Sequence, residues 1–331
     1  MNADDPQPAS VLDRVLVLEM VRVTEKAAIA ASRLIGRGDE KAADAAAVEA
    51  MRKAFDTLYI DGTVVIGEGE RDEAPMLYIG EKVGGAIGKG PKIDIALDPL
   101  EGTTITAKAG PNSLAVLAAA EEGNLLNAPD TYMDKIAVGP GYPEGVISLA
   151  KSTRENIEAV AAAKGVGPSE INVCVLDRPR HAQLIAELRE LGCGVVLIGD
   201  GDVAGVIATT DQETTIDIYM GQGGAPEGVL AAAALRCVGG QMNGRLVFRN
   251  DDERRRAAKW GIEDLGRIYK LEDLAKGDCI FAATGVTDGS LLGGVKTRRR
   301  TRGDRVLTTE SVVMRASSGT VRWIKGVHRL D

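Results

Sequence analysis

Asp98-Pro99-Leu100-Glu101-Gly102-Thr103 follows the strand-like run Lys92-Ile93-Asp94-Ile95-Ala96-Leu97 and places two carboxylates and a hydroxyl on what reads as a tight turn. Upstream, Val64-Val65-Ile66-Gly67-Glu68-Gly69-Glu70 has the same plan: an apolar run ends in glycine and acid, so a strand delivers carboxylates to a loop with room for a ligand. Hard oxygen donors of this kind suit Mg²⁺ or Mn²⁺ better than zinc. An ion held beside a strand-end hydroxyl suits phosphoryl transfer or phosphate hydrolysis. For Asp98, Glu101 and Thr103 the competing reading is a polar turn that caps a helix. Further along, Arg178-Pro179-Arg180 offers two guanidinium forks, whose geometry matches phosphate oxygens, on a turn stiffened by proline. Asp200-Gly201-Asp202 reads either as a set of sugar-hydroxyl acceptors or as an Asx turn. Glu227 stands where a glycine-rich loop enters a helix behind Pro226, so it either binds a ligand or complements the helix dipole. The Gly223-Gly224 backbone could equally cradle a phosphate.

These residues need two kinds of scaffold. Apolar residues at helical spacing predict helices over 11–34 and 41–58, with Gly36-Arg37-Gly38-Asp39-Glu40 as the turn between them and Asp39 and Asp44 near the start of the second. Strand-like runs at 62–66, 93–97 and 113–120 follow, so this half reads as α+β with helices on one side of a largely antiparallel sheet. After Ser152 the pattern becomes β-α alternation: strands at 172–176, 194–198 and 216–220, helices at 181–191, 203–208 and 227–237. That predicts a parallel sheet wrapped by helices, with ligand groups beyond the strands' C-terminal ends. The expected division is an α+β domain over 1–155 and an α/β domain over 156–331. No internal repeat is present, and the run from Arg298 to Arg302 reads as a solvated loop.

A chain of 331 residues exceeds the usual size of a single hydrophobic core, which favours two domains. A net charge of −8 argues against general affinity for nucleic acid or an anionic membrane, and with 3% aromatic residues little is available to stack on exposed bases. No apolar run approaches the roughly 20 residues that span a bilayer, and the acidic, proline-containing first ten residues do not read as a signal peptide, so the cytosol is the expected compartment. Cys174, Cys193, Cys237 and Cys279 lack paired spacing and are expected to be buried thiols. The two histidines, His181 and His328, are too few for a histidine metal site, and no nucleophile-elbow motif supports a Ser-His-Asp triad.

Taken together, Gly36-Arg37-Gly38-Asp39, Ile66 to Glu70, Asp72-Glu73-Ala74-Pro75-Met76-Leu77-Tyr78, Asp98 to Thr103, Asn127-Ala128-Pro129-Asp130, Pro179-Arg180-His181, Asp200-Gly201-Asp202 and Gly223 to Glu227 resemble the class II fructose-1,6-bisphosphatases. The resemblance runs from about residue 20 to the C-terminus and is carried by the order and spacing of these pieces. That family is similar to the lithium-sensitive sugar and inositol phosphatases, which implies a layered αβαβα fold with two sheets. The resemblance further implies a divalent metal, Mg²⁺ or Mn²⁺, and ligands Asp44, Glu68, Asp98, Glu101 and Glu227. Around a sugar bisphosphate it would set Glu101, Gly102, Thr103, Tyr132, Arg178, Pro179, Arg180, Asp200, Gly201, Asp202 and Gly224. The implied reaction removes the 1-phosphate of fructose 1,6-bisphosphate, in gluconeogenesis or the Calvin cycle. Some members also cleave sedoheptulose 1,7-bisphosphate.

Thr103 would orient the attacking water and Asp44 accept its proton. Members often carry lysine directly after Gly-Arg-Gly-Asp; here Glu40 takes that place and Lys41 follows, so the catalytic lysine role either passes to Lys41 or is dispensable. A homodimer or homotetramer is the expected assembly. Two rivals stand beside this reading. A monophosphatase with the same metal core would have no need of a second phosphate. A non-catalytic sugar-phosphate sensor would have no use for a hydroxyl placed beside the metal acids.

Overall fold

The computed structural model describes residues 12, 14–69, 75–211, 214–299 and 305–330. Glu70 and the Asp72-Glu73-Ala74 part of the sequence motif therefore lie outside the described residues, as do Arg300 to Asp304. Two long helices open the chain, α1 (Arg14–Ser32) and α2 (Glu40–Phe55). The second starts where Asp39 accepts the Ala42 N–H at 2.9 Å, which satisfies one of the backbone donors left free at a helix N-terminus. There follow β1 (Asp61–Ile66), β2 (Lys82–Val83), β3 (Lys92–Glu101), the short α3 (Thr103–Ala107), β4 (Leu114–Glu121) and β5 (Tyr132–Val138). Then come α4 (Thr153–Lys164), β6 (Asn172–Leu176), α5 (Ala182–Glu190), β7 (Gly194–Ile198), α6 (Asp202–Ile207), β8 (Ile218–Gly224), α7 (Ala225–Val238), β9 (Gln241–Val247), α8 (Asp251–Lys259), β10 (Ile268–Lys270) and α9 (Leu271–Leu274). The chain finishes with β11 (Cys279–Gly285), β12 (Lys296–Arg299), β13 (Arg305–Arg315) and β14 (Thr320–Leu330).

Two sheets form. In the first, β2, β1, β3, β4, β11 and β13 lie side by side; β12 shares one edge of β13 with β11, and β14 covers its other edge. The second runs β10-β9-β5-β8-β6-β7. Strand alternation sorts the side chains of the first sheet onto two faces. Ile93, Ile95, Leu97, Ala115, Leu117, Ala119, Ile280 and Ala282 pack with Val21, Ala28, Met51 and Phe55 of α1 and α2. Their alternates Ala96, Val116, Ala118, Phe281 and Ala283 share a middle core with Val203 and Val206 of α6, the apolar length of α7, and Met133, Ala137, Cys174 and Tyr219 of the second sheet. The far face of that sheet, with Ile136, Val138, Val173 and Val175, packs against Ile157 and Val160 of α4 and Ile185 and Leu188 of α5. Three cores between five layers give the αβαβα order. The many alanines facing α7 let helix and sheet approach closely.

Several details depart from the sequence reading. The second sheet is mixed: β6 pairs in parallel with β7 and β8, whereas β5, β8, β9 and β10 pair antiparallel. The sheets also do not follow the chain's halves, since β5 belongs to the second and β11 to β14 return to the first, so the expected 155/156 boundary runs across both. Asp98 and Glu101 are not on a turn: β3 continues through them, with a register shift against β4 between these two residues. Pro99 lacks the N–H that a continuous ladder would use, and the ladder breaks there. All four cysteines are buried free thiols, as expected.

Candidate active site

The C-terminal ends of parallel strands in both sheets point at one cleft of about 460 Å³. From the first sheet, β1 delivers Glu68 just beyond its end. Its neighbour β3 carries Asp98, and past the bulge Glu101. The bulge is fixed by the Leu100 N–H, which donates to Asp98 Oδ1 at 3.0 Å. Gly102 then takes φ 85°, a left-handed turn that favours glycine, and starts α3 with Thr103 facing the cleft. Gly67 is required for a different reason: a Cβ there would run into the Leu77 carbonyl. Asp44 reaches the same cleft from the second turn of α2.

The second sheet supplies the opposite wall. Arg178 and Arg180 follow β6, Asp200, Gly201 and Asp202 follow β7, and Gly224 and Glu227 lie where β8 passes into α7. Tyr132 enters from the start of β5. Arg180 donates from Nε and a terminal nitrogen to the Gln222 carbonyl at 3.1 and 2.7 Å and sits 5.0 Å from the Tyr132 ring centre. Arg249, from beyond β9, lies 4.9 Å from the same ring, held by a carboxylate pair with the buried Glu253. Arg178 pairs at 3.5 Å with Asp200. His181 is structural rather than a base: Nδ1 donates to the Leu176 carbonyl at 2.7 Å and Nε2 accepts the Gln222 N–H at 2.8 Å, which fixes a neutral tautomer. Burial holds its pKa below the usual value.

The cleft therefore collects Asp44, Glu68, Asp98, Glu101, Gly102, Thr103, Tyr132, Arg178, Arg180, Asp200, Gly201, Asp202, Gly224 and Glu227. Pro179 and Lys41 are the two expected residues that do not line it. Pro179 opens the short 3₁₀ turn that carries Arg180, and Lys41 is exposed on α2 one turn before Asp44. Asp130, from the Asn127-to-Asp130 motif, lines the cleft and was missed as a site residue. So was Lys135, which lies beneath it. Proline and acid in that motif gave a signal for Asp130. Nothing local marks a strand lysine as buried.

Burial, and after it the neighbouring like charges, raises the carboxylates of the cleft. Burial, followed by the Asp44 charge, pushes the Glu68 carboxyl up to about 8. Asp98 is raised well above the carboxylate range by burial and then by Glu68 and Glu227. Glu101 is raised well above it by burial, then by Asp202 and Asp98. Burial also raises Asp44, and burial together with Asp202 raises Glu227, with Lys135 opposing the rise. Among the described residues no three His, Cys, Asp or Glu groups form a ready-made metal cage. The fit to a divalent cation rests instead on charge and unmet bonding. Five oxygen-only donors crowd one cleft, and the buried Glu101 Oε2 and Glu227 Oε2 have no hydrogen-bond partner. Hard divalent ions favour such donors.

Residues 14–328 match the family model described as bacterial fructose-1,6-bisphosphatase, glpX-encoded. Among curated relatives, "Fructose-1,6-bisphosphatase 1 class 2" of Escherichia coli (strain K12) is 48% identical over 332 residues, covering 96% of each chain. "Fructose-1,6-bisphosphatase class 2" of Shigella flexneri matches to the same extent. An inositol monophosphatase structure from Anabaena (Nostoc) sp. PCC 7120 overlaps 60% of this chain and 72% of its own, at 14% identity and a TM-score of 0.32. The matching family and the full-length relatives are phosphate-ester hydrolases. Family match and full-length relatives together narrow the class: this chain belongs to the bacterial, glpX-encoded class II fructose-1,6-bisphosphatases.

Proposed function

We infer that this chain hydrolyses the 1-phosphate ester of fructose 1,6-bisphosphate to fructose 6-phosphate and inorganic phosphate, with a divalent cation as cofactor. The observation that carries the reading is a cleft with an acidic wall on one sheet and a guanidinium-bearing wall on the other. Such a cleft suits a substrate with a phosphate at each end. Asp44, Glu68, Asp98, Glu101 and Glu227 would hold the cation, which when bound offsets phosphate charge and makes water more acidic. Thr103 would orient the attacking water through its Oγ. Asp44, beside it in the cleft, would accept the proton. Arg178, Arg180 and Tyr132 would grip the distal phosphate, with Pro179 stiffening the turn that carries the arginines, so that remote binding orients the reacting end. Asp200, Gly201, Asp202, Gly102 and Gly224 would line the sugar between them.

The finer parts of the reading are Mg²⁺ or Mn²⁺ as the ion, sedoheptulose 1,7-bisphosphate as a second substrate, the cytosol as the compartment and a homodimer or homotetramer as the assembly. Among the described residues no helix is long and apolar enough to cross a membrane. The decisive experiment compares turnover of fructose 1,6-bisphosphate, sedoheptulose 1,7-bisphosphate and a monophosphate, with chelator and after Mg²⁺ or Mn²⁺ is restored. Full activity in metal-free protein, or no preference for a bisphosphate, refutes the reading.

A further inference from the structure

Lys135 is the buried charge that the reaction outlined above leaves unused. It lies on β5, in the middle of the second sheet, on the same face as Met133 and Ala137 of the middle core; its side chain is 0% exposed. Lysine is seldom buried to this degree, because an ammonium taken out of water without a partner is very costly. The partner here is Asp202, whose Oδ2 stands 2.5 Å from Lys135 Nζ. Two glycines make the space. A Cβ at Gly223 would strike the Asp202 carboxylate and come within 3.1 Å of Lys135 Nζ, and one at Gly228 would stand 3.6 Å from Lys135 Cε and 2.6 Å from Met133 Sδ. The Tyr219 hydroxyl lies 3.5 Å from the same Asp202 oxygen.

Asp202 is more than one half of a core ion pair, because it lines the cleft. The residue after it donates its N–H to Glu101 Oε1 at 3.1 Å, so the loop that carries Asp202 is tied to the acidic wall. An aspartate so close to Glu101 and Glu227 would be driven from them by charge, or toward any cation there, unless something held it. Lys135 supplies that restraint from below. With Oδ2 engaged by the lysine, Asp202 can offer its remaining oxygen to the cleft as a fixed acceptor. A simple phosphate ester has no use for such an acceptor, whereas a sugar hydroxyl can donate to it.

Resting on the phosphatase reading above, we propose that Lys135 is a positioning residue for the sugar subsite: its ammonium fixes the Asp202 carboxylate so that the cleft selects hydroxyl-bearing phosphate esters over simple ones. Two steps separate Lys135 from the reacting phosphate, so its effect belongs in substrate preference. Sites built to hydrogen-bond a substrate hydroxyl discriminate strongly against analogues lacking it, because their own polar group is then left unpaired.

The test uses the full chain with saturating Mg²⁺ and follows kcat/KM for fructose 1,6-bisphosphate and for p-nitrophenyl phosphate. Lys135→Met should lower the preference for the sugar ester about 10- to 100-fold, mainly through KM. Asp202→Asn should raise KM for the sugar ester to a similar extent, and the double variant should add little to either single change, as expected for residues acting as one unit. Gly223→Ala pushes Asp202 off its lysine without changing any charge, and should reproduce the loss of preference if Lys135→Met does not fold. Equal losses on both esters, or multiplying effects of Lys135→Met and Asp202→Asn, would make Lys135 a fold-stabilising residue only and overturn the proposal. A wild-type protein with no preference for fructose 1,6-bisphosphate would overturn the phosphatase reading and this inference together. Normal preference in both the wild type and Gly223→Ala would overturn the inference alone.

Discussion

Glu68→Gln should remove a pH dependence that the crowded carboxylates build into the metal-free protein. Glu68 has its carboxyl raised from an ordinary 4.5 to about 8 by burial and by Asp44. Between those two pH values the folded, metal-free protein holds a proton there that the unfolded chain releases. The group's contribution to stability is therefore fully present below pH 4.5 and is lost as pH rises through 8. At about 1.36 kcal/mol per pH unit, the whole interval is worth about 5 kcal/mol. Glu68 is only half-buried and the cleft is open to water, so about 2–5 kcal/mol is the working range. An unfolding entropy of about 2.1 cal/mol/K per residue turns that into a fall in Tm of about 3–7 °C between pH 5 and 8 for a chain of this length. Differential scanning calorimetry on chelated protein across this range, wild type against Glu68→Gln, isolates the contribution. Added Mg²⁺ should restore stability most at the alkaline end, where no proton has to be displaced, and its apparent affinity should weaken by up to about tenfold per pH unit below 8. Identical pH slopes for wild type and Glu68→Gln would refute the argument.

Three further outcomes follow from the cleft. Thr103→Ala should lower kcat about 10²-fold or more with little change in Mg²⁺ affinity, measured by steady-state kinetics beside a metal titration; near-normal kcat would leave Thr103 only its place at the start of α3. Arg180→Ala removes both donors to the Gln222 carbonyl and the contact over Tyr132, and should raise KM for fructose 1,6-bisphosphate far more than for a monophosphate; equal losses on both would place Arg180 at the reacting phosphate or in the fold. Lys41→Ala should damage kcat much more than Glu40→Ala if Lys41 serves the chemistry, and equal, mild effects would show that neither does.

Much of the acidic wall was legible because it is local. The run Lys92 to Leu97, a proline and two acids lie within ten residues, and β6 and β7 occupy the ranges that their short apolar runs mark. The bulge at Pro99 was harder, since a turn and a broken ladder share one sequence signature and only the partner strand β4 decides between them. Lys135 was illegible for the same kind of reason: its partner Asp202 is 67 residues away, and only the fold brings the two charges together. The first sheet's return was hidden too, because β13 mixes Thr, Glu and Ser into its apolar pattern. Those polar positions are satisfied from elsewhere: Thr309 donates to Glu25 at 2.9 Å, and Ser311 joins Thr284 and Thr24 in a buried chain of hydroxyls.

That return has a consequence for how the protein is made. β11 is an interior strand, paired with β4 on one side and β13 on the other, yet it is encoded about 160 residues after β4. A ribosome adding about 5–20 residues per second leaves the β4 edge without its neighbour for about 8–30 s. An apolar edge exposed for so long is a template for pairing with other chains. Nascent chains of this protein should therefore depend on holding factors, or on provisional cover from α7, until the last fifth of the polypeptide emerges to close the sheet.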